Sequence, residues 1–322
     1  MLTSEWAIAF NLISIAVTVL LLATVLLSCV WVITARYTDQ FSLYAQKRIL
    51  WLFVSAPWLL SLICLLVFLP SLLLSQNTTW LVHWHHPNEF YLASWHGALL
   101  IIFTLGFAYI LIRKVVNASR HLIALDSLTG LFQKKGHHWQ IGSDVVVLES
   151  RTPLAFSAGI FNPKCYVTSG LVEQFSDNEL DIIIEHERAH IKHRDLQQKL
   201  LFSLLISLFP KQISLQLNRL FSLTMEKLAD TSVSMCHSRL DIAQTLVKSA
   251  RVQKLATDHS DPAFVNYFIA NDVDSRVKAL IGLQEFRPFP WSYCLLVLGL
   301  VAITSLAGVD ALHHLIETFF SH

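Results

Sequence analysis

Charge is what this sequence has least of. Only 15% of its 322 residues are Asp, Glu, Lys or Arg, against about 25% in an ordinary soluble domain. Hydrophobic residues make up 54% and the mean hydropathy is +0.51, so a chain surrounded by water on all sides is not expected. A formal net charge of +1 offers no cationic excess for a polyanion, and direct nucleic-acid binding is not expected either. The five cysteines do not make a disulfide framework. Cys29, Cys64 and Cys294 fall in apolar runs, whereas Cys165 and Cys236 fall in the segment assigned below to the reducing side of a membrane. No internal repeat and no low-complexity stretch divides the chain.

The apolar residues are concentrated rather than spread. Runs over 6–34, 49–74, about 92–112 and about 289–309 each reach the roughly 20 residues that cross about 30 Å of hydrocarbon. The first run is too long for a signal peptide, lacks a basic leader and has no small-residue cleavage site. Four spans are therefore expected. Of the 24 Lys and Arg residues, Arg36, Lys47 and Arg48 lie between the first two spans and all the others between the third and fourth. The N-terminus, the 76–94 loop and the C-terminal tail have none. Those nearest the span ends (Arg36, Lys47, Arg48, Arg113, Lys114, Arg120 and Arg287) fall on one side, which the positive-inside rule makes the cytoplasm. Both termini and the 76–94 loop are then extracytoplasmic.

These boundaries predict an α-helical membrane protein in three parts. Residues 1–117 form a three-helix transmembrane region, 118–287 a cytoplasmic domain, and 288–322 a fourth transmembrane helix with a short outer tail. Within the domain, β-rich runs at 145–148, 154–156 and 166–168 suggest a small sheet. Ser176 and Glu179 form a capping-box pattern that opens a helix over 180–194. Further helices are expected over 196–209, where Pro210 stops the run, and over 213–234, 239–255 and 274–283. The apolar stretch 200–209 is too short to span and is expected to be buried or interfacial. The outer loop carries His83, Trp84, His85 and His86 with Trp80 and Trp95 nearby, which has two readings, an interfacial aromatic belt with polar partners or an extracytoplasmic sensor of a metal or partner. The strand near 154–158 has two readings, an edge that pairs with a substrate backbone or an ordinary core strand.

The chemistry is concentrated in Glu185-His186-Glu187-Arg188-Ala189-His190-Ile191-Lys192-His193-Arg194-Asp195. Residues i and i+4 share a helix face, so His186 and His190 can present imidazole nitrogens to one metal ion. Glu187, one residue along, is placed to accept a proton from an attacking water. A peptidase site of this kind needs a third protein ligand. The metzincin pattern would put a histidine at position 196, which is Leu196, so that arrangement is excluded. His193 shares the face of His186 but lies nearly two turns away and reads as solvated. Glu226, in Met225-Glu226-Lys227-Leu228-Ala229-Asp230, is the better candidate, with Asp230 one turn on and able to hydrogen-bond a ligand histidine. Spacing alone leaves Glu226 and Asp230 open against an ordinary solvated acidic pair.

His-Glu-x-x-His followed by Asp195, then Glu226-x-x-Ala229-Asp230, resembles the gluzincin arrangement of two groups of membrane peptidases. One holds the BlaR/MecR-type signal-transducing metallopeptidases, the other HtpX-type and CAAX-processing proteases. The stretches 153–159, 166–171 and 178–180 and the segment Asp274-Ser-Arg276-Val-Lys-Ala-Leu280 fit as well. His-Glu-Arg-Ala-His-x-x-x-Arg-Asp, with three spans before the domain and one after it, is more similar to the BlaR/MecR type. That resemblance implies a mainly helical (α+β) gluzincin-like zinc metallopeptidase domain between spans three and four, in a bacterial cytoplasmic membrane. It implies one Zn²⁺ held by His186, His190 and Glu226, with Glu187 as the catalytic base and Asp230 orienting a ligand histidine. Arg276, His259 and Tyr267 are all open as donors to the transition-state oxyanion.

The implied partners are the lipid bilayer and a protein or peptide substrate, with a winged-helix transcriptional repressor as one candidate. Three functions follow: signal-transducing proteolysis of a cytoplasmic repressor or of the enzyme itself, HtpX-like quality control of membrane proteins, and a non-catalytic membrane receptor. β-Lactam sensors of the BlaR/MecR type carry a penicillin-binding domain after the last span. Here only residues 310–322 follow that span, so direct β-lactam sensing is not expected.

Overall fold

The computed structural model describes residues 2–3, 5–73, 89–92, 94–132, 145–159, 162–257, 263–282 and 287–320. The histidines at 83, 85 and 86, Trp80, Trp84, His259 and His322 lie outside the described residues, as does the side chain of Tyr267. In chain order the elements are β1 (Leu2–Thr3), α1 (Glu5–Thr34), α2 (Leu43–Leu73), β2 (Glu89–Phe90), α3 (Trp95–Phe132), β3 (Val145–Leu148), β4 (Ala155–Ala158), β5 (Lys164–Thr168), α4 (Ser169–Gln174), α5 (Asp177–Lys192), α6 (Asp195–Leu205), α7 (Lys211–Val233), α8 (Arg239–Thr257), α9 (Ala263–Ile281) and α10 (Trp291–Phe320). Short 3₁₀ turns cover Ala35–Gln40 and Ile206–Leu208.

Four helices are long and apolar enough to cross a membrane, over Trp6–Gln40, Leu43–Val67, Trp95–Val116 and Trp291–Ile316. They coincide with the four apolar runs. The protein is thus a mainly helical membrane protein with four candidate spans. Helix α10 runs on to Phe320, so most of the stretch expected as a tail continues the helix. No proline or glycine follows Gly308 to stop it.

The chain divides into two compact units. The first comprises residues 1–114, 204–217 and 288–322. In it α1 packs along α2 and α10, and Leu12, Ile15, Val19, Cys64 and Val309 form a shared core. Ser14, Thr18, Thr24 and Ser28 each donate their hydroxyl to the carbonyl four residues back in α1. This satisfies hydroxyls that could find no water inside a bilayer. Ser61 crosses from α2 to donate to the carbonyl of Ala16 at 2.7 Å. Strand β1 pairs with β2, and Phe90 of β2, almost wholly buried, stacks on Phe10 of α1 with ring centres 5.3 Å apart. At the other end of α1, Trp31 packs on Phe53, Phe53 packs on Phe209, and the indole N–H of Trp31 donates to Gln216 at 3.3 Å. The 200–209 stretch thus ends buried at Phe209.

The second unit comprises residues 115–203 and 218–287. Its sheet has the order β3-β5-β4, with β3 parallel and β4 antiparallel to the central strand. Cys165 and Val167 of β5 are fully buried and face Leu171, Val172 and Phe175 from α4 and Leu180 and Ile184 from α5. The sheet therefore fixes one face of α5. A second cluster, Ile182, Val233, Ile242, Ala243 and Leu280, brings α7, α8 and α9 onto another part of the same helix.

Candidate metal centre and active site

Helix α5 starts where the capping-box pattern places it. The Glu179 carboxylate accepts hydrogen bonds from the Ser176 N–H at 2.8 Å and the Ser176 hydroxyl at 3.0 Å. Lys248 of α8 adds an ion pair to the same carboxylate at 2.6 Å. Burial would raise the Glu179 pKa, but the bonds from Lys248 and Ser176 outweigh it and hold the group below its ordinary value. The helix is fixed at its N-terminus by these contacts and along its length by Ile182 and Ile184, both buried.

The face of α5 that Ile182 shares with His186 borders a cleft of about 230 Å³, which Glu187 also lines. Nε2 of His186 lies 3.1 Å from Nε2 of His190 and 3.3 Å from Oε2 of Glu226. Nε2 of His190 lies 3.5 Å from the same Glu226 oxygen. The two imidazole planes are nearly perpendicular, at 88°. Three donor atoms from two helices thus converge, and together they could hold a metal ion. His193, at the C-terminal cap of α5, is not in this group.

Both histidines are held from behind. Nδ1 of His186 lies 3.1 Å from Oδ1 of Asp230, one turn after Glu226 on α7. Nδ1 of His190 lies 2.6 Å from Oδ2 of Asp195. Both carboxylates are buried, at 2% and 3% exposure, so solvent competes little with the imidazole that each one faces. A carboxylate on Nδ1 places the proton there and leaves Nε2 with its lone pair toward the other donors.

Asp195 reaches its partner because α5 and α6 are joined by a tight turn. Arg194 sits in it at φ 54°, the left-handed region, which costs a non-glycine residue roughly 1–2 kcal/mol. The geometry reverses the chain at once and returns Asp195, the first residue of α6, against the helix it has just left.

Electrostatics make the cluster self-consistent. Burial alone would lower the pKa of His190, but hydrogen bonds to Asp195 and Glu226 outweigh it and raise it to about 9. His186 is raised in the same way, its burial outweighed by Asp230 and Glu226. Burial would raise the pKa of Glu226 and of Asp230, yet the histidines hold Glu226 well below the carboxylate range, and Arg276 with His186 holds Asp230 low. Lys199 of α6 lies 3.4 Å from Oε1 of Glu226, and Nη1 of Arg276 lies 3.4 Å from its Oε2. Four carboxylates (Glu187, Asp195, Glu226 and Asp230) thus face two side-chain cations, Lys199 and Arg276. With neutral histidines the cluster carries a net charge of −2, and a divalent cation supplies the two positive charges that balance it.

Glu187 lines the same cleft. Among the described residues no hydrogen bond or ion pair ties down its carboxylate, in contrast to Glu226, Asp230 and Asp195. Beyond the polar cluster the cleft is lined by Phe175, Ile183, Val233, Ile242, Leu246 and Val252, with Pro153 and Ala155 at the start of β4. Strand β4 is an edge strand of its sheet among the described residues.

Residues 74–280 match the family described as BlaR1 peptidase M56. The chain belongs to that family. No curated protein matches it. M56 peptidases are metallopeptidases, and the His186, His190 and Glu226 group fits the metal such an enzyme requires. As an M56 member with four candidate spans, the protein is a membrane peptidase whose substrate is a protein or peptide.

Of the residues singled out in the sequence, the structure brings His186, Glu187, His190, Glu226, Asp230 and Arg276 to one cleft. Asp195 and Lys199 join them and carry no role in the sequence reading. The signal for Asp195 was its place directly after the His-Glu-x-x-His helix. Lys199 gives no signal beyond its spacing on α6.

Proposed function

We propose that this M56 member is a zinc-dependent endopeptidase of the bacterial cytoplasmic membrane, with its catalytic domain on the cytoplasmic side. His186, His190 and Glu226 hold Zn²⁺, Glu187 is the general base, and Asp230 and Asp195 orient the two histidines. The observation that carries this is the convergence of three donor atoms at 3.1, 3.3 and 3.5 Å from one another. Ligands about 2.05 Å from a tetrahedral zinc ion stand about 3.3 Å apart, so this donor set matches the ion's shape as well as its charge.

When bound, zinc supplies a Lewis acid that polarises the scissile carbonyl and favours ionisation of water. The protein's own groups do the rest. Glu187, at hand in the cleft, accepts the proton of the attacking water and passes it to the leaving amine. The apolar wall excludes solvent and takes a hydrophobic side chain of the substrate. The open edge of β4 suits an extended substrate backbone, because an unpaired edge presents a row of N–H and C=O groups.

The substrate we propose is a cytoplasmic transcriptional repressor, the enzyme itself, or both, in the manner of signal-transducing proteolysis. This is supported by the one-sided Lys and Arg residues at the span ends, which would put the cleft within reach of a DNA-bound regulator. The domain limits proposed from sequence, 118–287 for the catalytic part, place every site residue in one segment.

The test compares wild type with Glu187→Gln in cells that also express a candidate repressor. Glu187→Gln is expected to retain metal, measured by mass spectrometry, and to lose about 10²–10⁴-fold in cleavage rate. Near-normal turnover in that variant would remove Glu187 from the mechanism. Intact repressor under every inducing condition, together with stabilised misfolded membrane proteins in the variant strain, would assign the enzyme to quality control instead.

A further inference from the structure

Arg276 occupies an unusual position in the cleft. Val277 and Leu280, its neighbours on α9, pack into the cluster of Ile182, Val233, Ile242 and Ala243. That packing seats α9 on α5, α7 and α8 and turns the Arg276 side chain, only 15% exposed, toward the metal-ligand cluster. Nε donates to Oδ2 of Asp230 at 2.8 Å and Nη2 donates to Oδ1 at 2.7 Å. This is a two-pronged pairing of a planar guanidinium with a carboxylate, the strongest geometry the two groups can form. Oδ1 of Asp230 is also the atom 3.1 Å from Nδ1 of His186. The third prong, Nη1, lies 3.4 Å from Oε2 of Glu226.

We propose that Arg276 is a positioning residue of the metal centre, which fixes Asp230 and through it the His186 imidazole, and is not the donor that meets the oxyanion of the substrate. The inference rests on the metallopeptidase reading above and deepens it. Asp230 is shielded from water, so its charge persists only while a cation faces it. Only an Arg276 that stays in place meets that need. Swinging the guanidinium to a substrate carbonyl would break both bonds to Asp230 and leave the buried carboxylate with the His186 imidazole as its remaining partner, without a side-chain cation facing it. The fork thus belongs to the resting architecture, and contact runs from α9 to α5 through Asp230 of α7, with Nη2 of Arg276 also 3.5 Å from Nε2 of His186.

The two roles separate in measurement. An oxyanion donor lowers kcat and leaves metal affinity alone, whereas a positioning residue weakens the metal site itself. The experiment uses the full-length protein in detergent. Zn²⁺ affinity is read by competition with a chromophoric chelator, and melting of the metal-free protein serves as a check of folding. Arg276→Met is expected to bind Zn²⁺ about 10–100-fold more weakly than wild type. Arg276→Lys keeps the charge without the fork and is expected to fall between the two. Asp230→Asn is expected to weaken binding similarly, and adding Arg276→Met to it to cost little more, because both act on one imidazole.

If Arg276→Met binds Zn²⁺ as tightly as wild type while kcat collapses at unchanged KM, the proposal is overturned and the oxyanion role is assigned to Arg276. Losses that multiply fully in the double variant also overturn it. If Arg276→Met does not fold, Arg276→Lys decides: weaker binding supports the proposal, and unchanged binding overturns it. A wild-type protein that binds no Zn²⁺ at all would instead bring down the metallopeptidase reading, a failure distinct from these.

Discussion

Nδ1 of His190 and the carboxylate of Asp195 stand 2.6 Å apart across a turn whose centre, Arg194, is left-handed. They are five positions apart, a spacing that would put them on different faces of a continuous helix. The break between α5 and α6 is therefore what makes the pair. Asp195→Ala is expected to weaken Zn²⁺ binding about 10–100-fold by releasing the His190 ring. Asp195→Asn should lose less, since its amide oxygen still accepts from Nδ1. Chelator competition measures both, and wild-type affinity in the alanine variant would show that the ring is held by something else.

Glu226 and His193 are rival third ligands in sequence, and the geometry favours Glu226, whose Oε2 faces both imidazoles. Glu226→Ala should lose Zn²⁺ as severely as His190→Ala, and His193→Ala should bind normally. Metal content after dialysis against a fixed free Zn²⁺ level distinguishes them. A His193→Ala protein that emerges empty beside a loaded Glu226→Ala protein would reverse the assignment.

The metal-free protein should lose stability as pH rises. The pKa of His190 lies at about 9 in the fold and near 6.5 when unfolded, so the folded state binds the extra proton between those values. The stabilisation is complete below about pH 6.5 and is lost as pH climbs through about 9. It amounts to about 3 kcal/mol for this nearly buried side chain. Thermal melting of chelator-treated protein from pH 6 to pH 10 should fall across that window, and the fall should be smaller in His190→Gln, where the raised pKa of His186 still contributes. In the same window, loading with Zn²⁺ should release protons to the buffer.

The proposed membrane topology rests on the one-sided distribution of Lys and Arg. Reporters active on only one side of the membrane, fused after residue 322 and within 76–88, are expected to report an extracytoplasmic position. A reporter within 133–144 should report the cytoplasm. A cytoplasmic signal from the C-terminal fusion would mean an odd error in the number of spans or a reversed chain.

How much of this was legible in sequence varied with the kind of force involved. The four spans were legible because a bilayer demands about 20 apolar residues from each helix, and α1, α2, α3 and α10 satisfy that by composition alone. Strand β3 was placed to the residue, and β4 and β5 to within two at their ends. Helix α5 was visible through Ser176 and Glu179, although it begins at Asp177 and stops at Lys192, two residues short of Arg194. That early stop depends on a left-handed arginine, and arginine does not advertise the left-handed region as glycine does. Helix α9 starts at Ala263, eleven residues before the stretch expected from sequence.

The candidate site divides along the same line. His186, Glu187 and His190 are local on one helix and could be read from their spacing. Their contacts with Glu226, Lys199 and Arg276 depend on how α6, α7 and α9 pack, which spacing does not encode. Arg276 could be named as a candidate, but its fork on Asp230 could not, because that pairing spans 46 residues.

Cys165, on the central strand β5, is sealed from solvent, whereas Cys236, in the same unit, is exposed. An alkylating reagent therefore meets two thiols on one chain at very different times. It reaches Cys236 at once, and Cys165 only in the moments when the sheet and the helices over it part. The ratio of the two labelling rates is then a gauge of that opening equilibrium, built into the native chain and requiring no substrate. Adding Zn²⁺ should slow the second reaction and leave the first unchanged, by as much as the ion stabilises the closed form. Occupancy of the metal centre could thus be followed from a sulfur atom that never touches it.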